Sequence, residues 1–170
     1  KAPSWRLIVP DREIAVEDRL QGRYAENLAR ETGDFILRRA DGVYAYQLAV
    51  VVDDAAAGVT EVVRGRDLLS STPRQMYLYE LLGAPAPAYA HVPLLLAEDG
   101  RRLSKRERDL DLGALSRRTT PERLLGQLAC WAGLRGTPEA ATARELAAEF
   151  DWARVRRADI LVPAGWEERL

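Results

Sequence analysis

Cysteine, methionine, histidine and phenylalanine are nearly missing from this chain, with one Cys, one Met, one His and two Phe among 170 residues. The lone Cys130 excludes an intrachain disulfide and cannot by itself make a cysteine-rich zinc site; its apolar helical surroundings read as a small core position. No apolar run reaches membrane-spanning length, and Lys1-Ala2-Pro3-Ser4-Trp5 lacks the long apolar core of a secretory signal. A cytoplasmic protein with no membrane partner is therefore expected. An excess of charge of one sign is missing too: the net charge is −1, which argues against coating nucleic acid by bulk charge and leaves room only for a local basic patch.

What is present suits one globular domain, or one domain with a helical appendage. Apolar residues make up 47% and charged residues 30%, enough to bury a real core. The first two thirds read as alternating strands and helices. Arg6-Leu7-Ile8-Val9 is a short strand, and residues 12–18 alternate apolar Ile14 and Val16 with charged neighbours, as a half-exposed strand does. Leu20-Gln21-Gly22-Arg23 reads as a turn, and Phe35-Ile36-Leu37-Arg38-Arg39 as the next strand, closed by an Asp41-Gly42 turn. Residues 43–52 are apolar and β-branched in their second half. Periodicity leaves two choices there, a helix turn followed by a buried strand or one extended element, with Asp53-Asp54 in turn or cap work rather than metal binding.

Residues 59–65 alternate and read as a strand feeding a loop. Thr72, Pro73 and Gln75 predict a helix start with a capping box and Gly83 its end, with Met76, Leu78, Tyr79, Leu81 and Leu82 inward. After a proline-rich connector, residues 90–96 predict a buried strand. From Leu110 onward the pattern is helical with little sign of another strand. Thr120-Pro121 starts a helix whose Leu124, Leu125, Leu128, Trp131 and Ala132 share a face. Thr142 and Glu145 form a capping box, and Asp151 caps a last short helix.

Residues 100–108, Gly-Arg-Arg-Leu-Ser-Lys-Arg-Glu-Arg, carry five cations in nine positions directly after the predicted strand. Read alone this is a solvated charge cluster or a phosphate loop. Transfer of an adenylyl group needs positive charge beside the α-phosphate and the departing pyrophosphate, and a loop with lysine, arginine and a serine hydroxyl provides it.

Arg102-Leu103-Ser104-Lys105-Arg106 resembles the KMSKS signature of class I aminoacyl-tRNA synthetases in its glutamyl form. Five segments upstream occur in the order and spacing of glutamyl-tRNA synthetases: residues 34–42, 45–54, 58–69, 71–75 and 91–94. The run from Arg102 through Asp109-Leu110-Asp111-Leu112-Gly113 is similar to that of the glutamyl-queuosine tRNA(Asp) synthetases, shortened paralogues without an anticodon-binding domain. The resemblance implies an α/β fold, the second half of a Rossmann-like catalytic domain followed by a small helical stem-contact-type region. It implies a ligase that activates L-glutamate with ATP and Mg2+ and transfers it to the queuosine base of tRNA(Asp). Lys105 is then the catalytic contact, Arg102, Leu103, Ser104, Lys105 and Arg106 bind ATP, and Tyr46 and Arg64 bind glutamate.

Read from residue type alone, Arg64 suits a bidentate carboxylate contact or an ion pair with Asp67 or Glu61, and Tyr46 suits a half-buried core position. Arg102 stands where the signature has its first lysine, which keeps charge but changes geometry. His91, the only histidine, precedes a proline in an apolar strand and reads as structural. Trp131 and Trp152 read as core residues rather than platforms for RNA bases.

The family's other signature, HIGH, needs two histidines, and a zinc element is likewise not encoded here. The expectation is therefore a C-terminal portion of a longer enzyme, inactive alone, with any zinc site upstream. Its parts would be residues 1–33, the end of an acceptor-binding insertion; 34–108, half of the catalytic domain; and 109–170, the helical region. A truncated glutamyl-tRNA synthetase charging the tRNA 3′ end, or a noncatalytic RNA-binding module, are the competing expectations.

Overall fold

The structure is a computed structural model that describes residues 2–103 and 112–166. Two compact units divide the chain, Lys1–His91 and Val92–Leu170. In the first, strand β1 (Trp5–Leu7) pairs antiparallel with β4 (Phe35–Arg38). Strand β2 (Glu13–Asp18) fulfils the alternation read from its sequence: Ile14, Val16 and Asp18 are buried, and Glu13, Ala15 and Glu17 are exposed. The turn expected around Gly22 is present, with φ of 80° at that glycine. It returns the chain into β3 (Gly22–Asn27), antiparallel to β2 from Asp18↔Gly22 to Glu13↔Asn27. That strand was not predicted, because its six residues include no β-branched side chain; the partner imposes its extended form. A short helix, α1 (Leu28–Glu31), follows, capped by Asn27.

Residues 43–52 form neither one extended element nor a buried strand: Tyr44 bridges Arg38, and from Tyr46 the chain is helix α2 (Tyr46–Ala57), with Asp53 and Asp54 inside it rather than at a turn or cap. The helix wins because Leu48, Val51 and Ala55 fall at helical spacing, where Val51 is 1% exposed and joins the core, while its neighbour Val52 is 44% exposed. Three alanines and a left-handed Gly58 (φ 68°) complete it.

Strand β5 (Glu61–Gly65) feeds a 3-10 turn over Arg66–Ser71 and then α3 (Thr72–Leu82), which ends at left-handed Gly83 as expected. The predicted capping box does not form: the preceding 3-10 turn already satisfies the helix start, so the Thr72 hydroxyl and the Gln75 amide turn to other partners. Leu78 and Tyr79 are buried, yet Leu81 and Leu82 are each 51% exposed.

Strand β6 (Ala88–Val92) completes a four-stranded sheet of order β3-β2-β6-β5, meeting β2 in parallel at Asp18↔Tyr89. Val9, Ile14, Leu28, Phe35, Val51, Leu78 and Tyr79 form the core of this unit.

In the second unit the extended run predicted for residues 90–96 is broken at Pro93, as expected for a residue without an N–H to offer a ladder. Strand β7 (Leu95–Leu96) therefore belongs to a different sheet. Its partner is β8 (Ile160–Leu161), a parallel strand in a region where only helices were expected. Two residues are too few to write a period-2 pattern.

Helices α4 (Leu112–Leu115), α5 (Pro121–Ala132) and α6 (Ala143–Ala148) lie between, α5 capped by Thr120 and α6 by the predicted Thr142–Glu145 box. Asp151 caps a 3-10 turn at Trp152–Arg154. Leu115, Val162 and Trp166 make the second core, joined by Leu95, Leu103, Leu124 and Trp131.

Candidate active site

Arg64 sits near the end of β5, half-buried, and each side of its guanidinium is held differently. Nε donates to His91 Nε2 at 2.9 Å, and Nη2 donates to Thr72 Oγ1 at 3.0 Å. The guanidinium carbon lies 5.1 Å from the centroid of the Tyr89 ring, a cation–π arrangement. Nη1 has no hydrogen-bond partner among the described residues. The ion pair with Glu61 considered from sequence is not made, since Glu61 pairs with Arg19 at 3.2 Å.

His91 is fully buried, and its Nδ1 lies 2.6 Å from Asp18 Oδ2. Asp18 is 4% exposed and also accepts from the backbone N–H groups of Leu20, Gln21 and His91. Burial alone would raise the Asp18 carboxyl, but the hydrogen bonds from Gln21, His91 and Leu20 outweigh it and hold the group below the ordinary carboxylate range. For His91, burial pushes the imidazole down, the Asp18 hydrogen bond pulls it up, and the Arg64 cation adds to burial; the net direction is below the ordinary histidine value.

The ring is therefore neutral near pH 7. With the carboxylate accepting at Nδ1, the proton resides there and Nε2 keeps its lone pair for Arg64. The sequence singled out Arg64 as a carboxylate contact and read His91 as structural, and it did not single out Asp18. A signal for Asp18 does exist, since period-2 alternation after Ile14 and Val16 puts position 18 on the buried face.

Tyr46 is the first residue of α2 and is 55% exposed, so its phenol faces solvent rather than the core. The start of α2 is tied to α3 through Gln47, whose Nε2 donates to Ser71 Oγ at 3.0 Å and whose Oε1 accepts from Gln75 Nε2 at 2.8 Å. Tyr46 and Arg64 both act on the Tyr89 hydroxyl, which burial raises first and foremost. A half-buried cation held by part-buried hydrogen bonds, with donor capacity left at Nη1, can receive a small anion.

The second group of predicted residues belongs to the other unit. Leu96 and Arg102 form an antiparallel bridge, closed by Ala97 N–H to Arg101 O at 2.8 Å, and Gly100 turns the chain with φ of 81°. Arg102 is thus presented at a hairpin end and is exposed. Leu103 donates its N–H to Leu95 O at 3.1 Å and packs against the second core, anchoring the basic segment. Beside it opens a cleft of about 410 Å³, lined among others by Glu98, Arg101, Leu103, Val162 and Trp166. Ser104, Lys105 and Arg106 lie outside the described residues. Among the described residues no cluster of three or more His, Cys, Asp or Glu side chains is placed to hold a metal ion.

The family description tRNA synthetases class I (E and Q), catalytic domain, matches residues 1–159, and the chain belongs to that family. Its fold agrees: the crystal structure of a glutamate tRNA ligase from Elizabethkingia meningosepticum in complex with its amino acid superposes with a TM-score of 0.80 at 27% identity, over 96% of this chain and 37% of that one.

Within the family, the chain is 50% identical over 167 residues to the glutamyl-Q tRNA(Asp) synthetase of Symbiobacterium thermophilum, covering 96% of this chain and 51% of that protein. It is 53% identical over 153 residues to the protein of that name from Neisseria gonorrhoeae, covering 90% and 50%. The chain spans about half the length of these curated relatives.

Proposed function

We propose that the chain forms the KMSKS-like portion of a synthetase that activates L-glutamate with ATP and Mg2+ as glutamyl-adenylate and transfers it to queuosine in tRNA(Asp). The observation that carries this is the Arg64 arrangement: a guanidinium held by His91, Thr72 and Tyr89, with Nη1 uncommitted. With Nε and Nη2 committed to protein partners, the Nη1 N–H groups remain to donate to a substrate carboxylate, and the exposed Tyr46 phenol adds a neutral hydrogen-bonding group. Arg102, Leu103, Ser104, Lys105 and Arg106 bind the ATP phosphates, with Lys105 as the catalytic contact that neutralises charge at the leaving pyrophosphate. Leu103 supports this by fastening one end of the segment to a packed core.

The queuosine acceptor is favoured over the tRNA 3′ end because the relatives at 50% and 53% identity carry the glutamyl-Q name, whereas the matched glutamate tRNA ligase stands at 27%. Mass spectrometry of tRNA(Asp) after incubation with the complete enzyme, ATP and labelled glutamate tests it. Label on the queuosine-bearing fragment is expected; label esterified only to the 3′ adenosine would assign the chain to ordinary charging.

A further inference from the structure

We infer that Asp18 and His91 form a buried positioning pair whose task is to aim Arg64, by fixing the imidazole as the tautomer that accepts from Nε. This rests on the reading of Arg64 as a substrate-carboxylate contact, but its geometry stands independently. Arginine in a half-open site has several rotamers of similar energy, and each misdirected one points the fork away from a ligand. Here contacts of different kinds remove that freedom: the Tyr89 ring lies under the guanidinium carbon, Thr72 Oγ1 and the Leu68 carbonyl hold Nη2, and His91 holds Nε.

Only the His91 contact depends on a chemical choice. An imidazole carrying its proton on Nε2 would set one N–H against another and repel the arginine. Asp18 makes the choice by accepting at Nδ1 at 2.6 Å. Asp18 is itself pinned by three backbone N–H groups in addition to the ring, and His91 stacks on Tyr89 with ring centroids 5.9 Å apart and planes 12° from parallel. A buried carboxylate and a buried imidazole are costly to keep unless something exacts them, and packing alone would be served as well by apolar side chains. The arrangement acts at one remove from the ligand, so these are positioning residues: Asp18 sets the tautomer, His91 transmits it, and Arg64 makes the contact.

Asp18→Asn separates this role from simple structure. The asparagine oxygen still accepts from the backbone, but its amide nitrogen donates to Nδ1, which moves the ring proton to Nε2 and opposes Arg64. His91→Leu removes the acceptor. His91→Gln places an amide oxygen near the Nε2 position and restores it.

Long-range 1H–15N NMR of the 170-residue chain, labelled at histidine and arginine, reads the tautomer and the Arg64 Nε–H exchange rate directly. The wild type is expected to show the Nδ1-protonated ring and a protected Nε–H. Asp18→Asn should show the Nε2-protonated ring and at least tenfold faster exchange. His91→Leu should lose protection, and His91→Gln should regain most of it. In the complete enzyme the same variants should raise the KM for glutamate about tenfold or more, with kcat changed less and His91→Gln near wild type.

An unchanged Arg64 Nε–H in folded Asp18→Asn and His91→Leu would overturn the inference. If instead the NMR signature changes as stated while Arg64→Ala leaves the glutamate KM untouched, the positioning pair stands and the glutamate reading fails.

Discussion

Arg64 keeps its charge at any pH a folded protein survives, so its neighbours can alter its direction and its company but not its ionisation. Its value lies in a fork whose Nε and Nη2 are spoken for and whose Nη1 is not. A lysine at the same place would be a point charge on a flexible stem with no Nε for His91 to hold. Arg64→Lys should therefore lose nearly as much glutamate affinity as Arg64→Ala, with KM rising roughly tenfold to a hundredfold, equivalent to about 1.4–2.7 kcal/mol. Steady-state activation kinetics against glutamate check it, and a lysine variant close to wild type would show that charge alone suffices. Arg64 and the basic segment could be read from the sequence because short local phrases carry them. The pair behind Arg64 could not, because Asp18 and His91 are 73 residues apart and meet only through the parallel contact of β2 with β6.

At the scale of elements, the buried stripe decides where propensity is ambivalent. The Val50-Val51-Val52 run favours a strand locally, but α2 forms because Val51 enters the core and Val50 packs against it while Val52 stays exposed, and the helix ends well on Ala55, Ala56, Ala57 and Gly58. Along α3, Leu78 is 2% exposed and Leu82 51%. Leu78→Ala should cost about 2–5 kcal/mol and Leu82→Ala less than about 0.5 kcal/mol by urea unfolding; equal costs would mean that α3 is packed on another face.

On α5 the expected leucine stripe is only part of the contact, because Gly126 and Ala129 are the most buried positions. A Cβ on Gly126 would stand 1.9 Å from the Glu139 carbonyl oxygen. Gly126→Ala should therefore destabilise the second unit by about 1–3 kcal/mol, through displacement of that backbone, whereas helix propensity alone predicts a gain of up to about 1 kcal/mol. The sign of the change in a thermal melt separates the two.

For the whole molecule, acid is the condition to which the site's internal wiring is most exposed. Both His91 and Asp18 have folded pKa values below their ordinary ones of 6.5 and 3.8. Between the folded and unfolded values the unfolded chain binds more protons, so stability rises with pH through each window. The His91 contribution is intact above 6.5 and declines as pH falls beneath it; that of Asp18 follows below 3.8. Thermal unfolding followed from about pH 8 to about pH 5 should show the midpoint falling only in the acid half, and His91→Gln should flatten that fall. The α/β class, the order of most elements and three of the helix starts were legible because strands with one buried face and capped helices write periodic signals. Strands β3 and β8 were not, because pairing partners rather than their own few residues hold them extended.

Glutamate-dependent ATP–pyrophosphate exchange by the complete enzyme, compared with its Arg64→Ala and Lys105→Ala variants, tests the assignment most directly. The expected result is exchange saturable in glutamate, a KM for glutamate raised at least tenfold by Arg64→Ala, and a rate lowered by orders of magnitude in Lys105→Ala while its melting profile is unchanged. Exchange that does not respond to glutamate, or that keeps wild-type kinetics in both variants, would contradict it.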